Sequence, residues 1–109
     1  MNLENIKILK KGKIDTEGRA DYILNNLMIQ MNNIQIYLKK SILDDDKSEY
    51  YILMDMKDIE VLMKIDNCYI TAINIDYKKS IYERMKIFGL QVCVVMDFNK
   101  DPIIVKYQK

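Results

Sequence analysis

Residues 80–98 read Ser80-Ile81-Tyr82-Glu83-Arg84-Met85-Lys86-Ile87-Phe88-Gly89-Leu90-Gln91-Val92-Cys93-Val94-Val95-Met96-Asp97-Phe98. Ser80 and Glu83 have capping-box spacing, in which a hydroxyl and a carboxylate each satisfy a free amide of a helix's first turn. Ile81, Met85 and Phe88 then share one helical face. Gly89 suits the residue just past a helix end, because it adopts a left-handed backbone at little cost. The Val-rich run that follows is nearly uncharged until Asp97, as in a strand buried on both faces. The stretch therefore predicts a helix over residues 80–89, a tight turn and a central strand over 90–98.

Working outward, Pro102 closes a turn at residues 99–102, and 103–107 predict a C-terminal strand. That strand belongs at an edge, where proline costs no ladder bond. Upstream, residues 68–75 alternate and are rich in β-branched side chains, which predicts a strand. Residues 49–54 predict another, and Asp55 can cap a short helix over 56–65, with a strand leading into an Asp66-Asn67 turn as the competing reading. Residues 5–10 predict a short edge strand, Lys11-Gly12-Lys13 a turn, and Asp15 or Thr16 a helix N-cap.

Residues 20–43 admit two readings. Ala20, Leu24, Leu27, Met31, Ile34 and Leu38 step as one helical face, with the doublets Asn25-Asn26, Asn32-Asn33 and Lys39-Lys40 recurring every seven residues. A hairpin turning at Asn32-Asn33 explains only one of those doublets, so the helix is favoured. The expected fold is a single α+β domain over residues 1–109. It has a mixed or antiparallel sheet of four or five strands and two or three helices; a mostly β chain with one helix is the alternative.

Composition narrows the function classes. A 109-residue chain is enough for one core and buries roughly 60–70 % of its unfolded surface. Half the residues are hydrophobic and 30 % charged, as in a globular chain and not a disordered one. A net charge of +1 argues against a general polyanion binder. The N-terminus lacks a signal pattern and no apolar run approaches ~20 residues, so a cytoplasmic protein outside the membrane is expected. Histidine is absent, which removes Ser-His-Asp and Cys-His chemistry. Cys68 and Cys93 read as buried, reduced thiols, too few for a zinc site.

Motifs are sparse. Asp97-Phe98-Asn99-Lys100-Asp101 matches the start of a calcium loop, but Pro102 stands where a glycine is needed and Gln108 where a glutamate is. Asp55-Met56-Lys57 after a strand, with Asp44, Asp45 and Asp46 upstream, has the residue types of a Mg²⁺-dependent nuclease. Asp55 as N-cap explains the same residues. Gly12, Gly18 and Gly89 are scattered, which excludes phosphate-binding loops. Lys10, Lys11, Lys13, Lys39, Lys40, Lys78 and Lys79 are the candidates for a nucleic-acid contact, with Tyr37, Tyr77 or Tyr82 stacking on bases. Arg19 and Arg84 are the only arginines, which weighs against base readout. No enzyme activity, cofactor or metal is expected.

The surplus is apolar. Eight Tyr and eight Met exceed the need of one small core, and both residue types adapt well to partner surfaces. Leu24, Leu27, Met31, Ile34, Tyr37 and Leu38 are the interface candidates on the 20–43 face. Tyr50 is a further anchor, and Asp44, Asp45 and Asp46 could mimic phosphates against a basic groove. The skew to Ile, Lys, Asn, Asp and Tyr suggests an AT-rich coding source. In size and composition the chain resembles small accessory proteins of phages and mobile elements, including anti-CRISPR and other anti-defence inhibitors. That resemblance implies occupation of a surface on a larger host protein, a nucleoprotein among the candidates. It covers no motif, so no residue role comes with it. The sequence thus reads as a non-enzymatic protein-binding module or a homodimer. A nucleic-acid-binding accessory protein is the first alternative, and a nuclease using Asp55 and Lys57 the second.

Overall fold

The computed structural model describes residues 11–65 and 72–108, with 11–17 as backbone only. The expected strand at 5–10, Lys10, the Asp66-Asn67 turn and Cys68 lie outside the described residues. Helix α1 (Lys11–Leu38) leads through a short 3₁₀ turn (Ile42–Asp44) into strand β1 (Ser48–Asp55) and helix α2 (Met56–Lys64). Strands β2 (Ile73–Ile75), β3 (Met85–Ile87), β4 (Leu90–Val95) and β5 (Ile103–Gln108) follow. They form one mixed sheet in the order β2-β3-β4-β1-β5. β1 and β4 run parallel, and the other neighbours pair antiparallel. The fold is α+β. Among the described residues no helix is long and apolar enough to cross a membrane.

Alternation along the strands sends one set of side chains inward. Register places Ile52 beside Val92 on one side and Ile104 on the other, so all three share a face. That face joins Ala20, Ile23, Leu24 and Leu27 of α1 and Ile59 and Leu62 of α2 in one core cluster. Both helices therefore cover the same side of the sheet. On the reverse side Tyr51, Leu53, Gln91, Cys93 and Val105 are only half-buried. β4 is thus buried on one face, against the expectation of two.

Residues 20–38 resolve as helix, for the reason the periodicity gave: Ala20, Leu24 and Leu27 are buried, and Met31, Ile34 and Leu38 continue the stripe half-buried. The expected turn at Lys11-Gly12-Lys13 and the cap at Asp15 or Thr16 are corrected, since α1 already runs through all of them. Two glycines in a helix cost about 1 kcal/mol each, less than a long packed helix recovers. The C-terminus stops at Leu38, short of residue 43. Lys39 takes a left-handed turn (φ 60°), and its N–H donates to the Gln35 carbonyl at 2.8 Å. A Cβ is unfavourable in that conformation by roughly 1 kcal/mol. Lys39→Gly is therefore expected to raise stability by about 0.5–1 kcal/mol, read as a small upward shift of the thermal midpoint.

The helix expected at 80–89 is not formed. Residues 81–83 are turn, and Met85–Ile87 is β3, with Met85 and Ile87 buried and Lys86 exposed. The Glu83 N–H meets the Ser80 carbonyl at 3.1 Å, an ordinary backbone turn. Gly89 does adopt positive φ (81°), but beside Phe88 at 52° in the two-residue loop joining β3 to β4. Two positive φ values in a row make a type I′ hairpin turn, whose twist matches paired strands. Of the strand expected at 68–75, Ile73–Ile75 is formed as β2 and pairs with β3.

Candidate functional site

Because β1 and β4 are parallel, their carboxyl ends open on the same edge of the sheet, where such sheets commonly place ligands. A shallow cleft of about 400 Å³ lies there, lined by Arg19, Asp55, Lys57, Asp58, Asn99, Lys100 and Asp101. Asp55 ends β1 and caps α2: one carboxylate oxygen accepts the Lys57 N–H at 3.0 Å. Its other oxygen accepts the Asn99 N–H at 2.8 Å, anchoring the β4–β5 loop. The Asn99 and Lys57 amides hold this carboxyl below the usual range. Asp58 accepts from Arg19 Nε at 2.9 Å and Nη2 at 2.8 Å, a two-pronged pair tying α1 to α2. Asp101 accepts from the Tyr22 hydroxyl at 2.6 Å and Arg19 Nη2 at 3.3 Å.

Each carboxylate in the cleft is therefore bonded to protein donors that join structural elements. Asp44, Asp45 and Asp46 precede β1 while Asp55 ends it, and eight strand residues separate the two sites by roughly 23 Å at 3.3 Å per step. The acidic loop does not meet Asp55 and Lys57 around one ion. The Asp97–Asp101 segment is the β4–β5 turn, with Asp97 and Asn99 both at φ 54°.

These bonds set a pH dependence. Asp45 is held low by the Tyr50 hydroxyl and the Lys47 amide, and Asp101 by Tyr22 and Arg19, as Asp55 is by its two amides. A carboxylate with a lowered folded-state pKa contributes stability above its unfolded value of about 4 and loses it as pH falls through the folded value. Thermal midpoints should be flat from pH 7 to about 5 and fall steeply below about 4. Asp45→Asn should flatten that fall.

The interface candidates divide. Leu24 and Leu27, at 5 % and 0 % exposure, are core and offer no surface. Met31, Ile34 and Leu38 are half-buried against the core. Tyr50 is buried and donates its hydroxyl to Asp45 at 2.8 Å, while Asp44 and Asp46 are exposed. Tyr37 stands out at 85 % exposure. Sequence reasoning missed Ile29 and Ile36, exposed at 60 % and 74 %. Tyr22, Ile29 and Ile36 recur every seven residues, each three positions before a polar doublet, and that spacing marks an apolar strip on the outer side of α1.

Between the second half of α1 and β5 runs an apolar groove of about 310 Å³, lined by Ile34, Tyr37, Leu38, Tyr50 and Ile104, with Asn33 and Lys106 at its rim. β5 is an edge strand. At its start, Gln30 of α1 acts as a clamp: its Nε2 donates to the Pro102 carbonyl at 3.0 Å, and its Oε1 accepts the Ile104 N–H at 2.8 Å.

The lysine candidates are spread out. Lys11 and Lys13 begin α1 and Lys39 and Lys40 follow its end, roughly 42 Å apart for 28 residues at 1.5 Å each. Lys78 and Lys79 lie in the loop between β2 and β3. Cys93 is half-buried in β4, and burial pushes its thiol up, away from the reactive thiolate. Among the described residues no three acidic or thiol groups gather into a metal site. No protein-family model, curated protein or solved structure matches the chain.

Proposed function

We propose that this chain is a non-enzymatic protein-binding module that engages a larger partner through the outer side of α1. The observation behind it is the exposure of Ile29, Ile36 and Tyr37, each 60 % or more, on a helix whose other side packs on the core through Ala20, Ile23, Leu24 and Leu27. A lone exposed Leu or Ile is ordinary. Several on one helix, flanked by Asn25, Asn32 and Asn33, form a rimmed apolar patch of the kind that marks an interaction surface. Size and composition favour a phage or mobile-element inhibitor of a host protein, acting in the cytoplasm. The lysines' dispersal supports nucleic-acid binding less well.

The test is capture from source cells with the wild-type chain and with the double variant Ile29→Lys, Ile36→Lys, alongside light scattering at ~50 µM. Both substitutions sit at exposed helix positions and should leave the melting curve unchanged. A stoichiometric partner held by the wild type and lost by the variant supports the proposal. Identical recoveries from both, with a monomer in solution, overturn it.

A further inference from the structure

We propose that the edge of β5 that no described strand covers receives an extended segment of a partner protein as an added strand, with one of its apolar side chains seated in the groove beneath Tyr37. This rests on the protein-binding reading and adds to the outer side of α1 a second contact, on β5, with the chemistry it accepts.

The argument begins with the backbone. In an antiparallel ladder, successive residues turn their N–H and C=O groups alternately toward the partner strand and away. The Ile104 N–H is taken by Gln30 of α1, so Ile104 faces away from β1. Lys106 and Gln108 then do likewise, while Ile103, Val105 and Tyr107 bond to β1. Past the clamp, the Ile104 carbonyl, both Lys106 backbone groups and the Gln108 N–H point to the open side, where no described strand lies. Such a row of unpaired groups is a template for strand addition.

Side chains set the selectivity. Ile104 and Lys106 lie two residues apart on the helix-covered face, since they pair with Ile52 and Tyr50. An added residue opposite Ile104 would face the groove walls Ile34, Tyr37 and Leu38, an apolar environment. One opposite Lys106 would face an ammonium. Cross-strand pairing rewards opposite charge there. The segment should therefore carry an acidic and an apolar residue two positions apart.

A second copy of this chain is a poorer occupant. A two-fold axis at Lys106 would oppose two ammonium groups, which is unfavourable. An axis at Val105 needs the Ile104 N–H that Gln30 already holds, and one at Tyr107 would oppose Lys106 with Gln108 and gain no opposite-charge pair.

The experiment selects a random octapeptide phage library on the full chain. Chosen peptides are then resynthesised with N-methyl groups at odd or even positions and measured by fluorescence polarisation. Selected peptides should share the acidic–x–apolar pattern, and methylation in one register only should weaken binding by about tenfold or more. Lys106→Pro removes an outward donor without touching a β1 bond, and edge strands tolerate proline; it should weaken binding similarly. Lys106→Glu leaves the backbone intact and should turn the acidic preference basic, so the test does not rest on the proline variant folding. Three results would overturn the inference: no selected binder, binders indifferent to both methylation registers and to Lys106→Glu, or a wild-type dimer that Lys106→Pro dissociates. Partner capture sensitive to Ile29→Lys, Ile36→Lys but not to Lys106→Glu would remove this site and leave the module reading intact.

Discussion

Val92→Asp is expected to leave no folded protein. Val92 is 1 % exposed in β4, the middle strand of five, and pairs in register with Ile52, itself fully buried. An aspartate there would stand among Ile52, Leu90 and the helix side chains of the same core cluster. Burying a carboxylate without a partner costs several kcal/mol, and a domain this size has roughly 5–15 kcal/mol in all. Far-UV circular dichroism and a thermal melt decide it. A cooperative transition within a few degrees of the parent would mean that β4 is not the centre of the core. The same substitution two residues on should be milder, because Val94 is only half-buried.

Asp55→Ala is expected to cost about 1.5–2.5 kcal/mol. Two losses combine. An N-cap carboxylate replaced by alanine costs about 1 kcal/mol. The Asn99 N–H, which donates to Asp55 at 2.8 Å, loses its acceptor, at about 0.5–1.5 kcal/mol, because Asn99 is exposed and water can take the carboxylate's place. Urea unfolding measures the sum. Asp55→Asn keeps an acceptor oxygen and should lose less than half as much. The pair also separates structure from chemistry. Incubating the parent and Asp55→Asn with plasmid and Mg²⁺ asks whether the charge matters when the cap survives. Cleavage by the parent, absent from a folded Asp55→Asn, would replace the binding module with the nuclease alternative.

Local signals were readable where one element answered to one pattern. The α1 stripe, the Asp55 cap and the Pro102 edge strand each needed only their own residues and near neighbours. Residues 80–89 misled because both periods fit: Ile81, Met85 and Phe88 suit a helix, Met85 and Ile87 a strand, and Gly89 ends either. The choice falls to strand pairing with Ile73–Ile75 and Leu90–Val95, a contact that no short window contains. The same limit hid the β5 groove. Tyr37 sits between Ile36 and Leu38 with nothing local to say that it is left exposed. Its counterpart Ile104 arrives 67 positions later. The exposed strip was legible in principle, since Tyr22, Ile29 and Ile36 keep a strict seven-residue spacing that the Asn doublets overshadowed.

The Gln30 clamp bears on how this protein behaves when concentrated. Gln30 spends its Oε1 and one N–H of its amide on the edge of β5, as a peptide unit would, and its second N–H goes to Asn26 Oδ1 at 3.1 Å. It imitates a single residue of a neighbouring strand and ends the ladder there. Gln30→Ala would lengthen the bare edge by the Pro102 carbonyl and the Ile104 N–H. The net loss of three hydrogen bonds is about 2–3 kcal/mol, but a longer uncovered edge is what seeds fibrils. Thioflavin fluorescence in stored, concentrated samples should therefore rise sooner for Gln30→Ala than for an α1 surface variant of equal melting temperature. One glutamine on a distant helix would then set the shelf life of the folded chain.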